Sequence, residues 1–131
     1  MAYLKPPTFT RKVFNPLAMR FAIGGSTTLA VRRRSSGTTQ QIPVIPVELA
    51  GSRYIVSTRG ESQWVRNARS SGSVELRRRG HSERFTAVEI PVAERPPVLD
   101  AYREKAGKMV GTYWKQLPDP ADHPVFRLEP A

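Results

Sequence analysis

The chain has 131 residues, enough for one domain with a real core and too few for two ordinary domains. It contains no cysteine, which excludes disulfides, thiol catalysis, zinc sites built on cysteine and iron–sulfur clusters. The net charge of +10 comes from 21 basic against 11 acidic residues, and 16 of the basic residues are arginine. Arginine suits bidentate binding of phosphate and carboxylate, so we expect an anionic partner: a phosphorylated cofactor, a nucleic acid or an acidic membrane surface.

The hydropathy of the chain argues against a membrane-spanning or secreted protein, and the placement of its two histidines argues against a metal site. No run of about 20 apolar residues occurs, and the first residues lack the apolar core of a signal peptide. We therefore expect a cytoplasmic protein. His81 and His123 lie far apart, next to turn signals, so we expect both on the surface and predict no metal site.

The first 26 residues are predicted to form an N-terminal arm and a short amphipathic helix, and residues 27–131 a single barrel domain. Within residues 12–23, apolar side chains recur at helical spacing opposite Lys12 and Arg20. Two interpretations of this helix stay open. It either packs across the barrel or lies on anionic lipid as a peripheral membrane contact.

Two strands and a hairpin follow. Residues 27–33 are rich in β-formers, and residues 42–49 read as the next strand. Pro43 and Pro46 imply that this second strand is an edge strand or contains a bulge. After a turn at residues 50–52, the chain is predicted to return antiparallel over residues 53–58.

The hairpin leads into a corner, Thr58-Arg59-Gly60, and then a helix of about residues 62–71 that Glu61 or Ser62 can cap. A helix start attracts an anion through its free N–H groups and the positive end of its dipole. The corner adds a hydroxyl and a guanidinium, so it predicts a phosphate site, with an ordinary strand-to-helix turn as the alternative. Trp64 packs under the ligand or seats the helix on the barrel.

The second half predicts another hairpin, of residues 73–79 and 83–90, followed by a helix from Pro96 to about Val110. Tyr113 and Trp114 come next, then a loop and a last strand over residues 125–129. The six short antiparallel strands with inserted helices predict a mainly β (α+β) fold, a small barrel whose closure removes exposed edges.

The chain resembles the deazaflavin-dependent nitroreductase family of actinobacteria, within the split β-barrel flavin and deazaflavin oxidoreductases. The family's Ser/Thr-Lys/Arg-Gly corner, followed by Trp and then Asn three residues later, is matched by Thr58, Arg59, Gly60, Trp64 and Asn67. Its Gly-Arg-x-Ser-Gly loop, with a proline six residues after the last glycine, is matched by Arg34, Ser36, Gly37 and Pro43. The resemblance runs from about residue 27 to 129 and implies a six-stranded antiparallel split β-barrel of the FMN-binding type.

By this resemblance, the two segments would wrap the phosphate-bearing tail and the ring of a reduced deazaflavin, coenzyme F-420. The coenzyme would pass a hydride to a flat electrophile such as a quinone or a nitroaromatic. Arg33 replaces the family's first loop glycine, and Gln40 replaces an arginine three residues after Ser-Gly. Because both changes touch the cofactor loop, FMN is the second choice of cofactor, and haem is bound by related split barrels.

Hydride transfer requires positioning and electrostatics rather than a nucleophile, because the cofactor carries the reactive atom. A proton must still reach the product, and Tyr54, Tyr102 or Tyr113 could supply it. Tyr113 ranks first, because it lies beside Trp114 on the segment that forms a substrate wall in the family.

Two other functions remain as alternatives. A carrier would bind the deazaflavin without turnover. A nucleic-acid-binding barrel would use the arginine triplets at residues 32–34 and 77–79 as a phosphate track with stacking aromatics. The aromatics fall on faces that the core requires, so we expect no nucleic acid, a small-molecule substrate, and a monomer or homodimer.

Overall fold

The computed structural model describes residues 27–131 and contains a single seven-stranded antiparallel sheet. Its strands are β1 (Thr27–Arg32), β2 (Thr39–Val44), β3 (Val47–Leu49), β4 (Ser52–Val56), β5 (Ser73–Arg78), β6 (His81–Glu89) and β7 (Val125–Pro130). They lie side by side in the order β2-β1-β5-β6-β7-β4-β3. The predicted arm and amphipathic helix, with the lipid contact of residues 12–23, lie outside the described residues.

The expected number of strands, six, is wrong because the predicted strand 42–49 is two strands. Ile45 and Pro46 separate β2 from β3, and these strands form the opposite edges of the sheet. Pro43 lies in β2 opposite Thr28, so the predicted edge position is confirmed. Since two residues carry the chain from one edge to the other, the sheet must curl into a half-barrel, as the predicted split barrel requires.

Three helices are inserted between the strands: α1 (Gln63–Ser71), α2 (Arg95–Ala106) and α3 (Gly111–Gln116). Short 3₁₀ turns occur at Val92–Glu94, Gly107–Val110 and Pro120–Asp122. The predicted helix at 62–71 is confirmed and ends at Gly72 as expected. The helix predicted from Pro96 to about Val110 is present but ends at Ala106, where a 3₁₀ turn follows. Helix α3, which carries Tyr113 and Trp114, was not predicted. No helix in the described part of the chain is long and apolar enough to cross a membrane.

The curled sheet has a core on each face. The α1-side core contains Leu29, Val31, Val44, Ile55, Trp64, Val65, Ala68, Val74, Leu76, Phe85, Phe126 and Leu128. The α2-side core contains Val47, Val56, Ile90, Val98, Leu99, Tyr102, Ala106, Val110, Trp114 and Val125. Because successive strand residues point to opposite faces, β7 sends Phe126 into the first core and Val125 into the second. The predicted alternation of this strand is confirmed.

The barrel has two ends, which the strand register distinguishes. We call one the corner end, because it holds the β1–β2 loop (residues 33–38) and the corner at 57–62. The other is the hairpin end, with the β3–β4 turn at residues 50–51 and the β5–β6 turn at residues 79–80. Arg77 pairs with Thr28, and Arg32 lies four residues further along β1, so the nearest members of the two arginine triplets are about 13 Å apart along the strands. A single phosphate track over both triplets is therefore not formed on this sheet.

Candidate functional site

The corner after β4 is a tight loop closed by its own hydrogen bonds. The carbonyl oxygen of Gly60 accepts from Ser57 Oγ at 2.6 Å and from the backbone N–H of Ser62 at 2.8 Å. Gly60 is buried and has φ +79°, in the left-handed region that residues with a Cβ rarely adopt. The glycine is therefore required by the backbone, and the predicted corner is present.

The start of α1 is not capped as predicted. Ser62 occupies the N-cap position, but its side chain makes no cap hydrogen bond. Its Oγ is buried and has no hydrogen-bond partner within the described residues. The first turn also carries no acidic side chain. The N–H groups at this helix start consequently lack a side-chain acceptor, and together with the dipole they offer an anion a favourable position.

Thr58 and Arg59 flank this helix start, and both side chains are half-buried. Arg59 makes no ion pair with any residue from 27 to 131. A half-buried guanidinium beside uncapped N–H groups is a donor set that suits phosphate.

The β1–β2 loop contacts α1 through Arg34. The backbone N–H and Nη1 of Arg34 donate to Asn67 Oδ1 at 3.1 and 2.7 Å, and Nη2 donates to Gln63 Oε1 at 2.8 Å. Asn67 is 2% exposed and donates from Nδ2 to Gln40 Oε1 at 2.8 Å. Arginine has no acceptor, so Gln40 supplies a contact that the family's arginine could not. Asn67 thus clamps loop to helix, and both predicted segments meet at the first turn of α1.

The loop itself is held by Arg33 and remains open to solvent. Arg33 Nη1 donates to Thr38 Oγ1 at 3.0 Å and to the carbonyl oxygen of Thr39 at 2.9 Å. Ser36 Oγ lies 2.8 Å from Thr38 Oγ1, and Ser36 and Gly37 are exposed. Arg33, which replaces the family's first glycine, therefore stabilises the loop. The Ser36 hydroxyl and the backbone of the loop stay accessible.

Of three further predicted site residues, Trp64 belongs to the first turn of α1 but is buried in the core, and the other two lie away from this meeting point. Trp64 is 7% exposed and packs on Phe126 with ring centroids 5.7 Å apart, so it seats α1 on the barrel. Pro43 is exposed on β2, four residues or about 13 Å from the strand's corner end. Tyr113 is half-buried on α3, against the α2-side core.

The predicted surface position of His123 is wrong, because its side chain is fully buried. Nδ1 lies 2.9 Å from the carbonyl oxygen of Ser57, and Nε2 lies 2.6 Å from that of Leu117. The ring also stacks on Trp114, with centroids 4.0 Å apart and planes 7° from parallel. His123 therefore joins the corner to the end of α3. The turn residues around it gave no sign of this burial.

Sequence reasoning also missed a chain of alternating charges at the corner end. Arg69 binds Glu61, with Nη2 2.9 Å from Oε2, and binds both carboxylate oxygens of Glu89 at 2.7 Å. Glu89 accepts in addition from Arg95 at 3.2 Å. Arg95 is 6% exposed and also donates to the carbonyl oxygens of Ile90 and Pro120. These contacts join residues far apart in sequence, so spacing could not reveal them.

Hydrogen bonding and burial shift the pKa values in this charge chain. The Arg69 guanidinium holds the pKa of the Glu61 carboxyl below its usual 4.5. The carboxylates of Glu89 and Glu61 raise the pKa of Arg69, whereas burial lowers the pKa of Arg95. Glu61 is thus a neutralised anion beside the corner rather than the helix cap.

In the part of the chain that the structure describes, neither acidic clusters nor clefts provide a second site. Within residues 27–131, no group of three or more acidic or histidine side chains is placed to hold a metal ion. A cleft of about 510 Å³ opens at the hairpin end, between the β3–β4 turn and the ends of β6 and β7. Its arginines already have partners: Arg53 lies 3.4 Å from Glu48 and Arg127 lies 2.9 Å from Glu129. This cleft is remote from the predicted site.

Solved structures show the same fold. A protein of unknown function from Agrobacterium tumefaciens is 18% identical, with a TM-score of 0.62 over 97% of this chain, which spans 58% of that protein. An F420-H2-dependent reductase, FDR-A, is 21% identical, with a TM-score of 0.60 over 80% of this chain and 94% of its own. HutZ, a haem storage protein from Vibrio cholerae, is 14% identical, with a TM-score of 0.59 over 88% and 89% of the two chains.

The family comparison is more specific than these structural likenesses. No protein of curated function matches the sequence. The model of the F420H(2)-dependent quinone reductase family, however, matches residues 8–118. This match spans the β1–β2 loop, the corner, α1 and α3, and it confirms the predicted deazaflavin-dependent relationship. The chain therefore belongs to the F420H(2)-dependent quinone reductase family.

Proposed function

We propose that this protein is an oxidoreductase that uses reduced coenzyme F420 to reduce a quinone. The observation that carries the proposal is the contact of Arg34 with Gln63 and Asn67, which joins the loop and the corner at one helix start. The family match supports the cofactor class. These contacts support a single electropositive edge to which both predicted segments would contribute.

The donor set at this edge fits a phosphate-bearing deazaflavin. The half-buried Thr58 hydroxyl, the Arg59 guanidinium and the uncapped N–H groups of α1 would hold the phosphate. The exposed Ser36 and Gly37 of the loop would line the same ligand. When bound, coenzyme F420 supplies the hydride. The protein's own contribution is to bind and orient the cofactor and the substrate, and to remove part of the water around them.

The proposed substrate wall is α3. His123 fixes this helix relative to the corner through its contacts with Ser57, Leu117 and Trp114. Tyr102 is 4% exposed and burial raises its pKa, so its phenol keeps its proton and is poorly accessible to a substrate. Tyr113 is only half-buried, which supports it as the proton donor. The half-buried ring of Tyr113 favours a flat substrate, with a quinone first and a nitroaromatic second.

A direct binding and turnover experiment tests the proposal. The full chain is titrated with coenzyme F420 and, in parallel, with FMN, and cofactor fluorescence is followed. Tight binding of F420, followed by oxidation of F420H2 with a quinone, supports the enzyme. Preferential binding of FMN would contradict the cofactor assignment. Binding of F420 without turnover of any quinone or nitroaromatic would instead indicate a carrier.

Removing the corner arginine is expected to weaken cofactor binding. We expect Arg59→Ala to lower F420 affinity by about 1.5–3 kcal/mol, roughly 10- to 150-fold, because a hydrogen bond to a charged group is lost. The dissociation constant from the fluorescence titration measures this effect. Arg84→Ala, an equal loss of charge at the exposed hairpin end, should leave the affinity within about twofold. Equal effects of the two variants would refute the phosphate assignment.

Removing the phenol oxygen of Tyr113 is expected to slow turnover without weakening cofactor binding. We expect Tyr113→Phe to lower kcat by about 100-fold, the low end of the range for general acid catalysis, with F420 affinity unchanged. Tyr54→Phe, another half-buried tyrosine against the α2-side core, is the matched control and should retain its rate. An unchanged kcat in Tyr113→Phe would show that Tyr113 is structural.

A further inference from the structure

The second arginine triplet has no role in the proposed reductase site. Arg78 and Arg79 lie at the turn between β5 and β6, at the hairpin end, and the predicted cofactor residues Arg34 and Arg59 lie at the corner end. With the exposed His81 and Arg84 they form what we call the basic tip. The tip therefore calls for a separate explanation.

The backbone of the basic tip is unusual for the residue it carries. Arg79 and Gly80 have φ angles of +50° and +80°, so the hairpin closes with a two-residue left-handed turn. Asparagine followed by glycine is strongly preferred there, because asparagine tolerates this conformation better than residues with longer side chains. An arginine nevertheless occupies this position, and its side chain is exposed at the turn.

Within the described part of the chain, the charges of Arg78 and Arg79 in the basic tip are not neutralised. Neither Arg78 nor Arg79 makes an ion pair with any residue from 27 to 131. The nearby acidic residues are already engaged: Glu75 pairs with Arg77, and Glu83 lies 3.9 Å from Arg53. The tip thus presents two free guanidinium groups and an exposed imidazole beside them.

We propose that the basic tip docks this protein on the surface of an anionic lipid bilayer. A bilayer surface needs only charge complementarity, which the tip supplies. A single-stranded nucleic acid would also need stacking platforms, and among the described residues the exposed large apolar side chain is Val92, which is not aromatic and lies between β6 and α2. The docking does not depend on the cofactor or on turnover.

Vesicle binding by the full chain tests this surface. Partitioning onto phosphatidylcholine vesicles with and without phosphatidylglycerol is measured by co-sedimentation, for the native chain and for Arg78→Gln/Arg79→Asn. Asparagine is favoured at the turn, so the variant should melt no lower than the native chain. We expect its partition coefficient on anionic vesicles to fall about 30-fold, the effect of two charges near such a surface. Added salt should reduce the binding of the native chain.

A matched variant separates this surface from net charge. Lys108→Gln/Lys115→Gln removes the same charge from exposed positions on the α2–α3 side, and all three proteins share residues 1–26. We expect this control to change partitioning less than threefold. Equal losses in the two variants, or no loss in the tip variant, would overturn the proposal. So would loss of single-stranded oligonucleotide binding in the tip variant while vesicle binding persists, which would assign the tip to nucleic acid.

Discussion

Replacing His123 with alanine is expected to lower the free energy of unfolding by about 3–5 kcal/mol, the range for removing a large buried ring. The substitution leaves a cavity beside Trp114, on which the ring stacks at 4.0 Å. It also removes the ring nitrogens that lie within hydrogen-bond distance of the buried carbonyl oxygens of Ser57 and Leu117. Urea denaturation of the purified variant measures the loss.

The other histidine is a matched control for this prediction. His81 is exposed at the start of β6, so His81→Ala should change the free energy of unfolding by less than about 0.5 kcal/mol. His123→Phe separates the two contributions, because it keeps a stacked ring and loses both polar ring nitrogens. We expect it to recover part of the loss only. Full stability of either His123 variant would contradict the role of this residue as the link between the corner and α3.

Replacing Arg69 with methionine is expected to lower the free energy of unfolding by about 3 kcal/mol, because it leaves the carboxylates of Glu61 and Glu89 without their shared partner. Glu61 is 6% exposed, so its charge would be uncompensated in the interior. Arg69 lowers the pKa of Glu61 in the folded chain, so this pair stabilises above the usual value of 4.5. That contribution is lost as the pH falls through the lowered folded-state pKa. The stability gap between native chain and variant should therefore narrow in acid.

Two further variants check the charge argument. Arg66→Met changes an exposed arginine on the same helix and should cost less than about 0.5 kcal/mol. Glu61→Gln/Arg69→Met removes the uncompensated charge at Glu61 and should recover much of the stability lost in the single variant. A stability gap that stays constant between neutral and acid pH would contradict the proposed pairing.

Local signals in the sequence predicted the elements around the corner well. Gly60 and Gly72 mark backbone positions with positive φ, and the apolar spacing of Trp64, Val65 and Ala68 defines the buried face of α1. These features depend on neighbouring residues, which a sequence displays directly. The strand from 53, the corner and the helix were therefore placed correctly.

Features that depend on tertiary contacts could not be predicted from the sequence. His123 is buried because α3 and the corner close around it, although the residues beside it are typical of turns. Helix α3 has six residues and starts at a glycine, too short for a periodic pattern. Either Glu61 or Ser62 was expected to cap α1, but the Glu61 carboxylate instead pairs with Arg69, eight residues later, and Ser62 makes no cap hydrogen bond. Pro46 indicated an edge strand, but it did not indicate that the chain would cross to the opposite edge of the sheet.

The place of β7 in the sheet constrains how the chain can fold. It is the last of the seven strands along the chain, yet it lies between β6 and β4 and joins the sheet's two parts. Until residues 125–130 are available, β2-β1-β5-β6 and β4-β3 have no common strand. Pairing of β4 with β7 closes a loop of about seventy residues, which slows folding relative to local contacts. During synthesis, the half-barrel therefore cannot be completed until the final strand has left the ribosome.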